Sequence, residues 1–117
     1  MNLECFHEYC LQKKFAEECF PFDEDHLVFK VLGKMFAIAD LSSETATANL
    51  KCDPAYALEL RQEYPEDIYP GWHMNKKHWN SVRLEGNLPD AMICKLIDHS
   101  YERVVAGLPR NQQSLLG

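Results

Sequence analysis

The sequence predicts an α+β sandwich in the order helix, three strands, helix, two strands, helix, with an antiparallel sheet covered by helices. Three observations carry this. Apolar residues recur every three or four positions at both ends and in the middle of the chain. Between those segments they recur every second position, and the connections are short. Strands clustered between helices bury a face most simply by laying the helices on one antiparallel sheet.

The first helix is expected over 2–14. Asn2 offers a capping oxygen, Glu4 lies near the positive end of the helix dipole, and Lys13 and Lys14 lie near its negative end. Leu3, Phe6 and Cys10 form its buried stripe. The stretch from Glu17 to Asp25 is acidic, carries Pro21, and reads as a loop. From Leu27 the period changes to two. Leu27, Phe29 and Val31 share one face of a strand over 27–32, and Gly33-Lys34 reads as a two-residue hairpin turn with glycine first. The return strand spans 35–39, with Phe36 and Ile38 on one face and Met35, Ala37 and Ala39 on the other. A third strand over 45–52 alternates Ala46, Ala48, Leu50 and Cys52 with Thr45, Thr47, Asn49 and Lys51.

Asp53-Pro54 starts the next helix, over 54–64, because the acid caps it and the proline lacks only an N–H that has no partner there. Pro70 and Gly71 limit any strand between Ile68 and Met74 to a short or edge one. A strand over 78–84 opposes Trp79 and Ser81 to Asn80 and Val82, and Trp79 is expected in the core, against the last helix. That helix, over 89–106, carries Met92, Ile93, Leu96, Ile97, Tyr101 and Val104 on a broad apolar face. Gly107 and Pro109 end it. One domain over 1–109 and a polar tail over 110–117 follow from this reading.

Composition narrows the function classes. The 117 residues carry a net charge of -6, with 46% hydrophobic and 26% charged residues. These are globular proportions, and the negative total opposes indiscriminate binding to nucleic acid or anionic lipid. The apolar runs are far short of the roughly 18 residues of a membrane span. Glu4, His7 and Glu8 interrupt what would be an export signal, so a cytoplasmic protein with reduced thiols is expected. Cys5, Cys10, Cys19, Cys52 and Cys94 show no two-residue spacing of the zinc or redox kind. Cys10 and Cys94 lie on apolar helix faces, where a thiol acts as a small hydrophobe. No phosphate-cradling glycine loop, nucleophile elbow or zinc-protease helix appears, so the reading is non-enzymatic and without cofactor.

Charge is unevenly distributed. Residues 1–25 and 53–67 are strongly acidic, whereas 68–84 hold Lys76, Lys77 and Arg83 with no acid, plus His73 and His78. The run Trp72-His73-Met74-Asn75-Lys76-Lys77-His78-Trp79 interleaves cations, hydrogen-bond donors and rings, a mixture suited to phosphate contact and base stacking. Its structural alternative is two tryptophans in the core and two lysines on a solvated turn. Lys30, Lys34 and Lys51 belong to the first three strands and can share a sheet surface with it.

The strings Pro21-Phe22-Asp23-Glu24-Asp25, Asn49-Leu50-Lys51-Cys52-Asp53-Pro54 and, above all, His73-Met74-Asn75-Lys76-Lys77-His78-Trp79-Asn80 resemble the MmcQ/YjbR family. Leu88-Pro89-Asp90 and Asp98-His99-Ser100-Tyr101 match the same pattern, in collinear order over nearly the whole chain. The resemblance implies a small bacterial protein with a fold like secretion chaperones and, more loosely, frataxins. It also implies DNA binding through two β-hairpin wings, here the hairpin at Gly33-Lys34 and the strand pair around Asn75 to His78. It supplies no catalytic residues.

The expected function is thus DNA binding through Lys30, Lys34, Lys51, His73, Asn75, Lys76, Lys77, His78 and Arg83. The histidines would add charge only below about pH 6.5. Two other readings are a protein partner bound across the sheet and a divalent cation held weakly by Glu17, Glu18, Asp23, Glu24 and Asp25. No membrane partner is expected.

Overall fold

The computed structural model describes residues 1–116. Its elements run α1 (Leu3–Leu11), β1 (Ala16–Cys19), β2 (His26–Val31), β3 (Lys34–Asp40), β4 (Thr47–Lys51), α2 (Pro54–Glu63), β5 (Ile68–Pro70), β6 (Trp79–Arg83), α3 (Asp90–Ala106) and α4 (Arg110–Leu116). The strands form one antiparallel sheet in the order β1-β2-β3-β4-β6-β5. The expected α+β class and antiparallel sheet are therefore present. Among the described residues no helix is long and apolar enough to cross a membrane.

The helices cover one face of the sheet. Phe29, Val31, Ala37, Ala39, Leu50 and Val82 meet Phe6 and Cys10 of α1, Ala57 and Leu60 of α2, and Ile93, Leu96, Ile97 and Val104 of α3 in one buried cluster. Two caps act as expected: the Asn2 side chain accepts from the Cys5 N–H at 2.8 Å and Asp53 from the Tyr56 N–H at 3.1 Å. Asp98 on α3 ties the layer together, accepting from the Tyr9 hydroxyl at 2.7 Å and pairing with Lys13. Burial, then the Asp98 carboxylate, pushes the Tyr9 hydroxyl up.

Four local expectations need correction. Helix α1 ends at Leu11, short of Lys14, because Phe15 at φ 59° turns the chain into β1. That strand takes the start of the expected 17–25 loop. An edge strand leaves its side chains in water, so its apolar periodicity is absent from the sequence. The hairpin turn is Leu32-Gly33, at φ 47° and 84°, and Val31 pairs with Lys34, so Lys34 opens β3 rather than closing the turn. Two positive φ values match the twist of a tight hairpin. The expected polar tail holds α4, whose Leu116 packs against the core. Two leucines side by side at the end of a polar seven-residue stretch are too little to announce a helix from sequence.

The return strand also departs from strict alternation. A bulge between the Phe29–Ala37 and Lys30–Met35 pairs turns Phe36 to the same side as Ala37, into the helix-side core. Ile38 is left on the opposite face, paired with Val28. An extra residue in a ladder has this effect on facing.

All five cysteines are free thiols; Cys10 and Cys52 are buried, Cys94 half-buried and Cys5 exposed. Burial pushes the Cys52 thiol up to about 11, with the neighbouring Asp53 adding to it, and raises Cys10 further.

Candidate nucleic-acid interface

Residues opposite one another across a ladder share a face. The registers therefore sort the helix-free face into three rows. One end carries Glu17, Lys30, Met35, Lys51 and Trp79; the middle carries Cys19, Val28, Ile38, Asn49, Ser81 and Tyr69; the far end carries His26, Asp40, Thr47 and Arg83. The β2–β3 turn, the end of β4 and the 71–78 loop all project from the first end. Lys34, Lys51, Lys76 and Lys77 gather there, while Asp40 and the 23–25 acids lie toward the other.

The 71–78 loop is built by its own polar groups. The Asn75 side chain accepts from the Lys77 N–H at 2.9 Å, and its carbonyl accepts from the His78 and Trp79 N–H groups. Arg61 on α2 reaches across with its guanidinium, donating to the Asn80 side chain at 2.7 Å and to the carbonyls of Lys76 and Trp79. The Lys76 ammonium turns back to the Gly71 carbonyl at 3.1 Å. Lys77 is exposed. Trp79 is buried as expected, at 8% exposure, but not in the helix-side cluster. It shares the open face with Ser81 and is closed over by Gly71. A Cβ at Gly71 would stand 2.8 Å from Trp79 Cβ and 3.0 Å from its carbonyl oxygen. Gly71→Ala is expected to displace the loop and destabilise the fold by about 1–3 kcal/mol, as overpacking does. A urea midpoint equal to that of the wild type would contradict this packing.

A cleft of about 550 Å³ opens at this end, lined by Lys51, Asn75, His78, Trp79, Arg103, Ala106 and Gly107. Lys51, Asn75 and His78, singled out from sequence, thus converge. Arg103 completes the cleft and was missed. It lies in the last turn of α3, where a cation answers the helix dipole, so its sequence position reads as a capping charge. Its guanidinium is 3.7 Å from the Asp53 carboxylate. His99, one turn earlier, accepts from the Asp53 N–H through Nε2 at 3.1 Å, and burial, then Arg103, lowers its pKa.

The remaining candidates are dispersed. Lys34 and Lys77 lie on the two projections beside the cleft. Lys30 faces Glu17 across the β1–β2 ladder, which offsets its charge. Arg83 is at the far end, donating to the Glu66 carbonyl at 3.4 Å, and His73 lines a different cleft on the open face. Alternation forced this separation: Arg83 and Lys51 share a face but end antiparallel strands at opposite ends. The acidic segment does not converge either. Glu17 and Glu18 point to opposite faces of β1, Asp23 pairs with His26, and among the described residues no three metal-ligating side chains come together.

A six-stranded antiparallel sheet with helices on one face and a basic cleft at one end defines a small α+β protein. The YjbR family model matches residues 11–103, and the chain belongs to that family. It is 38% identical to the uncharacterized protein YbdF of Escherichia coli O157:H7, over 97% of this chain and 95% of that one. It is 37% identical to the uncharacterized protein YjbR of Escherichia coli K12, over 99% and 98%. A Deinococcus radiodurans crystal structure with the DUF419 domain superposes with a TM-score of 0.91 at 37% identity, covering 99% of this chain and 88% of that one. A Pseudomonas syringae crystal structure superposes at 0.76 and 28% identity, covering 88% and 98%. The similar proteins are bacterial.

Proposed function

We propose that this protein is a non-enzymatic DNA-binding protein that holds the phosphate backbone at the basic end of its sheet. The observation that supports this is the cleft bringing Lys51, His78 and Arg103 together between two projections that carry Lys34 and Lys77. Cations spaced over a groove replace condensed counterions at phosphates, so affinity falls with salt. The acids at the far end repel the duplex and orient it onto this end. Phosphate contacts position without specifying, so little sequence preference is expected.

Fluorescence anisotropy with a labelled duplex tests this in the wild type and in a Lys77→Ala/Arg103→Ala variant. Both side chains are exposed, so the fold should persist. Each cation removed is expected to lower the salt slope by about one and to weaken binding similarly on every sequence. No binding by the wild type at low salt, or equal slopes for the two proteins, would refute the proposal.

A further inference from the structure

The open sheet face has a second cleft, of about 450 Å³, toward the end away from the basic cluster, and the nucleic-acid reading leaves it unused. Its volume lies within the range of small-ligand sites, about 300–1,000 Å³. Ile38, Asn49 and Ser81 of the middle row supply the floor. Three aromatic side chains stand around it: Phe22 from the loop before β2, Tyr69 on β5 and Trp72 after it. Phe22 and Trp72 are 63% and 66% exposed, a large apolar area to leave in water.

The wall carrying Trp72 is fixed in place. Its N–H donates to the Ser81 hydroxyl at 3.1 Å, and its carbonyl accepts from the Asn49 side chain at 3.2 Å. Ser81 in turn donates to Asn49 at 2.5 Å, so one polar relay on the floor holds the Trp72 backbone. The indole is exposed on an anchored backbone, which lowers the ordering cost of any ligand that packs on it.

The polar lining is acidic. Asp23 and Asp40 are its charged carboxylates, no lysine or arginine lines it, and His26, His73 and Tyr69 are its other titratable groups. The Asp23 carboxyl is held below the ordinary range by the His26 ring and by the Asp25 and His26 N–H groups. Asp40 accepts from the Ser42 N–H and hydroxyl at 3.0 and 2.8 Å and stands opposite His26 in the ladder.

We propose that this cleft binds a small organic cation, an amine or guanidine on an apolar body. The cation is drawn to Asp23 and Asp40, and the body packs on Trp72, Phe22 and Tyr69. Ring faces attract cations through their quadrupoles, and a carboxylate beside them strengthens the preference. A carboxylate or phosphate ligand meets two like charges here, so the site is separate in chemistry from the basic cleft.

Three probes with one ring isolate the charge: phenethylamine, phenylacetamide and phenylacetate, titrated by calorimetry and by tryptophan fluorescence. Phenethylamine is expected to bind saturably and at least about tenfold more tightly than the other two, a difference of about 1.4 kcal/mol. Asp40→Asn, which retains an oxygen for Ser42, should abolish the preference of amine over amide. Trp72→Ala should weaken amine binding while far-UV circular dichroism stays unchanged. Equal binding of the three probes, or saturable binding of a basic peptide with none of phenethylamine or agmatine, would overturn the proposal. The two sites are separable: Lys77→Ala/Arg103→Ala should keep amine affinity, and Asp40→Asn should keep the salt slope on duplex DNA.

Discussion

Phe29→Ala is expected to lower the unfolding free energy by about 3–5 kcal/mol, the range of buried aromatic truncations. The Phe29 ring lies at the centre of the helix-side core, fully buried. It meets Phe6 of α1 edge-on at 5.9 Å and Phe36 of β3 at 6.3 Å, and His7 packs on it at 5.8 Å. The cavity would open where α1 meets β2 and β3, elements from both sides of the sandwich, so the void cannot close by moving one side chain. Equilibrium urea denaturation followed by circular dichroism measures the loss. A decrease below about 1 kcal/mol would mean that the neighbours repack, and would contradict the rigid cluster inferred for this core.

Ser100→Ala carries the second-largest expected cost, about 2–5 kcal/mol, although it deletes a single oxygen. Ser100 is fully buried on α3. Its hydroxyl donates to the Phe36 carbonyl at the bulge of β3 and accepts from the Lys51 N–H at 2.8 Å. One side chain thus bridges the helix layer to two strands, at the residue that begins the basic cleft. Alanine leaves a buried carbonyl and a half-buried N–H without that partner. Faster hydrogen exchange at the Lys51 amide should accompany the shift in the urea midpoint. An unchanged exchange rate at Lys51 would show that this bridge does not hold the end of β4.

Most of the helices and central strands were legible because apolar residues recur at helix or strand spacing within each segment. The Leu3–Phe6–Cys10 stripe, the alternation at 45–52 and the Asp53-Pro54 start are local signals, and each element follows from its own residues. Strand β1 had no such signal, since Glu17 and Glu18 sit at an edge and acquire a strand conformation only by pairing with Lys30 and Phe29. The bulge at Phe36 was hidden for a related reason. A period-two pattern assigns Phe36 to the face of Ile38, and only the competing demands of Phe29 and α3 turn it inward.

The interface was legible in composition and illegible in arrangement. The sequence by itself determined the fold class, the family pattern around His73–Asn80 and the excess of cations in 68–84, because these depend on residue identity and short spacing. Tertiary structure alone decided which charges meet. Antiparallel pairing sends Lys51 and Arg83 to opposite ends of one face, sets Glu17 against Lys30, and brings Arg103 from 52 residues beyond Lys51 into the same cleft. It also placed Asp23, Asp40 and Trp72, from three separate loops and strand ends, around one acidic aromatic cleft. Charge and hydrophobicity are properties of single residues, whereas convergence depends on strand register, and register is set by the core that the central strands share with the helices.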